Sequence, residues 1–177
     1  MKYLFSLSLT GLLLFTAFTS CAQADKSTRP SPPAIVTQKV GEIAVSIDYS
    51  QPSVKGRTIG KDLEPMDGQV WRTGANEATV FEVDKDVMIE GKFLPKGKYG
   101  LFTIVNGNDW TIIFNKTWKQ WGAFKYKADD DQLRVSVKGR KADAFTEKMA
   151  FTIDPNGKVS LWWGNNEVDF KVKRIEP

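Results

Sequence analysis

The sequence contains no histidine and only one cysteine in 177 residues. The lack of histidine excludes a Ser-His-Asp or Cys-His catalytic centre, an imidazole general base and a histidine metal ligand. A single cysteine excludes an intrachain disulfide and a zinc site built from several thiolates. Carboxylates, arginines and aromatic side chains remain as the residue types that could form a functional site.

Long hydrophobic runs are also scarce, and the longest lies at the N-terminus. Residues 3–18, YLFSLSLTGLLLFTAF, carry no charge and directly follow Lys2. As a helix this stretch would span about 24 Å at 1.5 Å per residue, which is short of a bilayer core of about 30 Å. A charged start, a short apolar stretch and small residues after it are typical of a signal peptide. The sequence therefore predicts an export signal at residues 1–20.

Two cleavage sites are open at the end of this signal. The motif FTSC, which ends at Cys21, resembles the lipobox of bacterial lipoproteins, whereas AQA at residues 22–24 fits ordinary signal peptidase. Cys21 is the only cysteine and follows the apolar run directly, and an exported protein gains little from a lone thiol. We therefore expect a lipoprotein of the cell envelope, anchored in the membrane through acylated Cys21 and facing the periplasm or the cell surface.

Charge is low and mixed after the signal. The chain has 25 lysines and arginines against 21 aspartates and glutamates, and basic and acidic residues alternate. Because no basic stripe with interleaved aromatic residues is present, nucleic acid is not an expected partner. Residues 21–34 are rich in proline and poor in large apolar side chains, which predicts a flexible tether. Residues 35–177 are expected to form a single β domain.

Alternation of apolar and polar residues predicts strands along most of this domain. Ile43, Val45, Ile47 and Tyr49 recur at every second position, which is the pattern of a half-buried strand. Further strands are predicted at 79–83, 86–90, 98–105, 109–115, 132–138, 145–153, 158–163 and 167–173. The fold is therefore predicted to be all-β, either an antiparallel β-sandwich or a barrel-like roll of about nine strands.

Turn residues separate the predicted strands. DPNG at residues 154–157 is a strong hairpin signal, and NGN at 106–108 and GNN at 164–166 predict further turns. PKG at 95–97 fits a turn in which glycine takes a positive φ.

Three segments depart from the strand pattern. Residues 117–124 and 140–148 each have room for one helical turn. Residues 52–78 contain many glycines and show little periodicity, which predicts one long irregular loop. Val70 and Trp71 indicate that part of this loop is held against the core.

The densest set of polar groups follows that loop, in WRTGANEAT at residues 71–79. Arg72 offers a planar fork of donors for a carboxylate or phosphate, and Asn76 can donate to an oxygen. Glu77 could serve as an acid or base if its pKa were raised. Together with Trp71 these residues form a candidate ligand-binding site. In the alternative interpretation, Arg72 and Glu77 pair with each other or with nearby backbone and only fix the loop.

The chain resembles a known family at this motif. WRTGANEAT is preceded by YSQPSVKGRTIG and followed by GKFLPKGKYGLFTI, WTIIFNK and WGAFKY. These segments, in this order, are similar to the Domain of Unknown Function 2911 family from about Ile43 to Val137. The resemblance implies an exported, β-rich protein that is often a lipoprotein. It implies no catalytic residues, because the activity of the family is uncharacterised.

Tryptophan provides a second set of candidates, since the chain has six. Trp162 and Trp163 are neighbours on a predicted strand and therefore point to opposite faces of the sheet. If Trp163 faces the core, Trp162 is free to stack on a sugar ring, and Trp118 and Trp121 lie in a polar stretch that could do the same. In the alternative interpretation, every tryptophan packs in the core or at its rim.

Carboxylates provide a third set. A glycosidase needs two of them about 5–5.5 Å apart for retention or about 6.5–9.5 Å apart for inversion. Glu77, Glu82 and Glu90 lie on or near strands, but chain spacing places no pair at such a separation. The run of aspartates at 129–131 lacks the spaced ligand pattern of a calcium loop and is better interpreted as a solvated turn. No metal or cofactor is predicted.

These observations favour a non-enzymatic ligand-binding or accessory domain on an envelope lipoprotein, with a glycan or another small molecule as the ligand. The alternative is a hydrolase of an envelope or dietary polymer, with Glu77 as acid/base and Arg72 orienting the substrate. A purely structural partner in an envelope complex is a third hypothesis.

Overall fold

The computed structural model describes residues 25–175, which form ten strands and two short 3-10 helices. The helices are Lys26–Thr28 and Ala128–Asp130. The strands are β1 (Pro33–Val40), β2 (Ile43–Ser50), β3 (Val70–Trp71), β4 (Val80–Val83), β5 (Val87–Ile89), β6 (Lys92–Leu94), β7 (Gly97–Asn106), β8 (Asp109–Asn115), β9 (Asp131–Ile153) and β10 (Lys158–Arg174). The predicted signal peptide and Cys21 lie outside the described residues. Within residues 25–175, no helix is long and apolar enough to cross a membrane.

The strands form one antiparallel sheet in the order β1-β2-β4-β7-β8-β9-β10-β5-β6, with β3 pairing to β7 off this path. The sheet is not closed into a barrel. It curls over itself, so that β1 approaches both β9 and β10, and β6 approaches β9. The all-β prediction is confirmed, and the architecture is a single curled sheet that encloses its own core.

Aromatic side chains fill the centre of that core. Phe81, Phe114 and Phe170 are fully buried or nearly so, and their ring centroids lie 5.0–6.1 Å apart in edge-on or tilted arrangements. Such pairs contribute about 0.5–1.5 kcal/mol each beyond the apolar area that they bury. They come from β4, β8 and β10, so this cluster joins distant parts of the sheet.

Two of the predicted strands, 132–138 and 145–153, are parts of the single strand β9. The helical turn predicted at 140–148 is therefore wrong. This stretch is mostly exposed and polar on both faces, so it lacks the alternating pattern by which a strand is recognised. It is extended because it pairs with β10, as at Arg140 opposite Glu167.

The strands predicted at 158–163 and 167–173 are likewise parts of one strand, β10. The turn predicted at 164–166 is wrong, because these residues form an irregularity inside the strand. Gly164 takes a φ of +61° there, and the register shifts on both sides of it. The glycine and asparagines at 164–166 would suit a turn, but here they form a bulge, which bends the strand without ending it.

The other turn predictions are confirmed. DPNG at 154–157 joins β9 to β10, NGN at 106–108 joins β7 to β8, and PKG at 95–97 leads into β7. Residues 52–78 form the predicted irregular loop, and the short strand β3 within it holds Trp71 against β7. The strand predicted at 86–90 corresponds to β5.

No helical turn forms at 117–124. The side chain of Gln120 supplies hydrogen bonds to the backbone of this segment. Its amide nitrogen donates to the Thr117 carbonyl at 2.6 Å, and its amide oxygen accepts from the Lys125 N–H at 3.0 Å. Further along, the Tyr126 hydroxyl donates to Asp131 at 2.8 Å. These bonds fix residues 116–130 as an ordered connection between β8 and β9, which places Trp121 beside Glu77.

Residues 25–32, which we call the strap, contact the domain where the sequence predicted part of a flexible tether. The Asn76 amide donates to the Ser31 carbonyl at 2.9 Å, and the Gln51 N–H donates to the Pro32 carbonyl at 2.9 Å. The predicted tether therefore contains a segment that lies on the domain and leads directly into β1.

Candidate functional site

Residues 71–79 form the connection between β3 and β4 and are tightly constrained. Trp71 is buried and its indole N–H donates to the Gly74 carbonyl at 3.1 Å. Buried Thr73 has a φ of +54°, a conformation that is strained for a β-branched residue and persists only where its surroundings enforce it. The Thr79 hydroxyl donates to the Thr73 carbonyl at 2.8 Å. A Cβ on Gly74 would lie 2.8 Å from the Thr79 oxygen, so the loop requires glycine there.

A groove of about 450 Å³ lies between this connection, the strap, β2 and the loop at 116–130. We call it the aromatic groove. Its volume falls within the roughly 300–1,000 Å³ of small-molecule sites. The side chains that give it chemical character are Lys26, Asp48, Glu77, Trp118 and Trp121.

Glu77 is the most strongly paired carboxylate of the groove. It binds Lys26 Nζ at 3.0 Å and Arg29 Nη1 at 2.8 Å, both from the strap. Desolvation raises the pKa of Glu77, but a backbone hydrogen bond and the hydrogen bonds and charge of the two cations outweigh it and lower the pKa to about 2. The predicted pair of Glu77 with Arg72 does not form. Glu77 is therefore an ionised anchor for the strap.

Asp48 lies across the groove from this pair, on β2. Its side chain reaches solvent, yet desolvation by the surrounding protein raises its pKa. The charges of Lys26 and Lys98 oppose that rise, and the charge of Glu77 adds to it. The groove thus holds two carboxylates whose pKa values are shifted in opposite directions.

Two tryptophans form the aromatic wall. The Trp121 side chain is 54% exposed, and the guanidinium of Arg29 lies 5.8 Å from its ring centroid. Lys98 Nζ lies 5.7 Å from the ring centroid of Trp118. Backbone pairing of Glu77 with Trp121 in an isolated bridge fixes the loop against the 71–79 connection. The wall is therefore held at a defined position while part of its ring surface remains open.

Arg72 lines a different cavity, of about 190 Å³, which we call the Arg72 cavity. Trp71, Trp163, Arg57 and Glu64 contribute to its walls. Desolvation lowers the pKa of Arg72, and the charge of Glu64 partly restores it. The Arg72 Nε is buried and has no hydrogen-bond acceptor among the described residues. The Arg72 guanidinium thus lies in a small cavity without an acceptor for its Nε–H among the described residues.

Comparison with known proteins gives one match. A family described as protein of unknown function, DUF2911, matches residues 31–172. The chain belongs to this family. No curated protein and no solved structure matches it. The match extends beyond the range 43–137 of the motif resemblance and includes most of β9 and β10 as well as the end of the strap.

The other predicted residues of this DUF2911 chain lie apart from the groove or support it. Asn76 is in the 71–79 connection, where its amide donates to the Ser31 carbonyl and so helps to hold the strap. Trp162 points away from the core as predicted, but it is only half-exposed, and its indole lies 3.4 Å from the Thr152 hydroxyl. Glu82 pairs with Lys98 at 3.1 Å on the face of the sheet.

The remaining carboxylates have structural partners. Glu90 lies in the turn between β5 and β6 and accepts from the Lys171 N–H. Asp130 accepts from the Thr117 hydroxyl at 2.9 Å, and Asp131 accepts from Tyr126 and Arg134. The run at 129–131 precedes the strand as predicted, but it forms the end of the second 3-10 helix and the first residue of β9, and two of its carboxylates are bound by protein groups. Within residues 25–175 no cluster of three or more acidic, histidine or cysteine side chains could hold a metal ion.

Sequence reasoning missed the strap cations and the opposite wall of the groove. Lys26 and Arg29 lie in the proline-rich segment, where no pattern indicated a partner for Glu77. Asp48 could have been found, because it occupies an outward position in the alternating strand β2. Arg57 and Glu64 come from the irregular loop, whose path the sequence does not specify.

Proposed function

We propose that this DUF2911 chain is a non-enzymatic ligand-binding module of the cell envelope, and that its aromatic groove binds a carbohydrate. The observation that carries the proposal is Trp121. Its 54% exposed ring lies in a groove of about 450 Å³, beside carboxylates and lysines that can bind hydroxyl groups. A large exposed aromatic ring at the mouth of a polar concave site is typical of binding surfaces.

The chemistry of the groove suits a sugar better than an apolar ligand. A tryptophan face stacks on the apolar face of a pyranose ring, and carboxylates accept hydrogen bonds from its hydroxyls. Asp48 and Glu77 supply such acceptors, while Lys26 and Lys125 supply donors. The mixture of both signs of charge fits a polar, near-neutral ligand.

The envelope location rests on the predicted signal peptide and on Cys21. Both lie outside the described residues, so the proposal takes them from the sequence. An acylated Cys21 would connect to the strap within a few residues, and the strap in turn borders the groove. This arrangement would place the binding surface at the membrane, where envelope glycans are found.

A hydrolase that uses Glu77 as acid/base has less support. A general acid must carry a proton at the working pH, which requires a raised pKa. The pKa of Glu77 is instead lowered to about 2 by its backbone hydrogen bond and by the strap cations, against the effect of desolvation. For any substrate found to be cleaved, Glu77→Gln would abolish turnover if this mechanism operated. We expect no turnover to depend on Glu77.

The experiment is a screen of the full chain, purified in detergent, against an array of neutral and acidic oligosaccharides, with positive sugars measured by calorimetry. We expect saturable binding that Trp121→Ala weakens about tenfold or more, as for an aromatic hot spot. Trp162→Ala is the matched control and should leave affinity unchanged, because Trp162 does not line the groove. An array without any binder, or equal affinity of the wild type and Trp121→Ala, would refute the proposal.

A further inference from the structure

The Arg72 guanidinium has donors that the protein does not use. Its buried Nε finds no acceptor, and no carboxylate of the described residues forms a salt bridge with it. Glu64 lines the same cavity but uses one carboxylate oxygen to accept from the Met66 N–H at 2.9 Å. A buried donor without an acceptor is destabilising, so this guanidinium is held at a cost to stability, as functional groups often are.

The backbone on both sides of Arg72 is held in one conformation. Arg72 follows buried Trp71 and precedes Thr73, whose positive φ is fixed by its contact with the Thr103 hydroxyl at 3.3 Å and by Thr79. Strained backbone of this kind clusters at sites where a side chain must be positioned. The backbone from which the Arg72 side chain extends is therefore set before any ligand arrives, which reduces the entropy lost on binding.

The charges of the cavity favour a ligand with a single negative charge. Arg72 and Arg57 contribute two positive charges and Glu64 contributes one negative charge. Arg57 already donates from Nε to the Val54 carbonyl and from Nη2 to the Ser53 carbonyl, so its role is mainly electrostatic. A doubly charged phosphate would leave excess negative charge beside Glu64, whereas a carboxylate would balance the cavity.

We infer that the Arg72 cavity binds a small organic carboxylate. Because Nε is buried, the carboxylate meets the guanidinium end-on and accepts one hydrogen bond from each terminal nitrogen, a bidentate geometry that the planar fork allows. The indoles of Trp71 and Trp163 enclose the short carbon chain. A volume of about 190 Å³ suits small acids of the size of acetate or lactate. This site is separate from the aromatic groove and does not depend on the carbohydrate proposal.

The test is a titration of the full chain with sodium acetate and with sodium lactate at constant ionic strength, followed by calorimetry and by the indole N–H signals of Trp71 and Trp163. We expect saturable binding of at least one acid. Arg72→Lys keeps the charge but removes the fork, so affinity should fall about tenfold, which corresponds to about 1.4 kcal/mol. Glu64→Gln removes the repulsive charge and should raise affinity severalfold.

Controls separate this site from the groove and from nonspecific effects. Trp121→Ala should bind the acids as the wild type does, so failure of the carbohydrate proposal leaves this one intact. A response that stays linear in acid concentration, equal affinity of wild type and Arg72→Lys, or saturable binding of inorganic phosphate with none of the acids would each overturn the inference. If Arg72→Lys fails to fold, Glu64→Gln provides the test. Unchanged affinity of Glu64→Gln for the acids would then overturn the inference.

Discussion

Glu77 accepts hydrogen bonds from Arg29, 48 residues earlier in the chain, at 2.8 and 3.1 Å through its two carboxylate oxygens. The same arginine lies over the ring of Trp121. One guanidinium therefore joins the strap to the 71–79 connection and to the aromatic wall of the groove. Loss of this contact should therefore affect both the docking of the strap and the aromatic wall of the groove.

Glu77→Gln should loosen the strap. The variant loses two partly exposed ion pairs, which together stabilise docking by roughly 1 kcal/mol, or about a fivefold change in the undocked fraction. We expect tryptic cleavage after Lys26 to accelerate severalfold. Glu82→Gln is the matched control, because Glu82 pairs with Lys98 away from the strap. Equal cleavage rates for both variants would show that the ion pairs do not hold the strap.

The pH dependence of stability should carry the signature of Glu77. Since folding lowers its pKa from 4.5 to about 2, the ionised group stabilises the folded state above pH 4.5, and this contribution is lost as the pH falls toward 2. The difference in free energy of unfolding between wild type and Glu77→Gln should therefore shrink across this range. A difference that stays constant from pH 6 to pH 2 would contradict the lowered pKa.

Arg72→Met should leave the free energy of unfolding unchanged or raise it, because the variant removes a buried donor that has no acceptor. Arg134→Met is the comparison. Its guanidinium binds Asp131 at 2.6 Å and the Tyr126 hydroxyl at 2.7 Å, so its loss should cost about 1 kcal/mol or more and leave the Asp131 carboxylate without its cation. Denaturant unfolding of both variants measures the contrast. A large loss of stability in Arg72→Met would make Arg72 a structural residue.

Gly157→Ala should destabilise the β9–β10 hairpin strongly. Gly157 has a φ of +86°, and a Cβ there would lie 2.0 Å from the Val172 carbonyl oxygen. We expect a loss of at least about 2 kcal/mol in the free energy of unfolding. Gly41→Ala is the control, since its φ is +62° but nothing lies within 4 Å of the added Cβ. The two variants separate backbone strain from steric overlap, and equal losses would show that overlap contributes nothing.

Cys21→Ser should release the protein from the membrane. If Cys21 is acylated, the wild type partitions into the detergent phase and incorporates labelled fatty acid, and the variant does neither. Retention of the variant in the detergent phase would show that another segment supplies the attachment. The absence of label on the wild type would favour cleavage after Ala24.

Local patterns in the sequence predicted the regular part of the fold. The alternation in β2 and the turn residues at 154–157 act through neighbouring residues, and both predictions are confirmed. Residues 140–148 were missed because their conformation is imposed by pairing with β10 and not by their own pattern. An isolated strand signal cannot reveal a partner that lies more than twenty residues away.

The candidate site was predicted in the same uneven way. Arg72 and Glu77 were singled out as candidate residues of one polar segment, but they do not pair with each other, because the partners of Glu77 come from the strap and Arg72 lines a separate cavity. The identity of a charged side chain is visible in the sequence, whereas the choice among several possible partners depends on where distant segments are placed. For the same reason, the spacing of residues along the chain could not predict which side chains line the aromatic groove and the Arg72 cavity. Asp48 in the groove and Glu64 in the Arg72 cavity are examples.

Docking of the strap changes how far this domain could move on a lipid anchor. A free tether of residues 21–34 could extend to about 45 Å at about 3.4 Å per residue. With the strap in contact from Lys26 onward, only five residue steps separate it from Cys21, a reach of about 17 Å. An acylated protein would then be held close to the bilayer, and release of the whole strap would lengthen the reach of its anchor roughly two- to threefold.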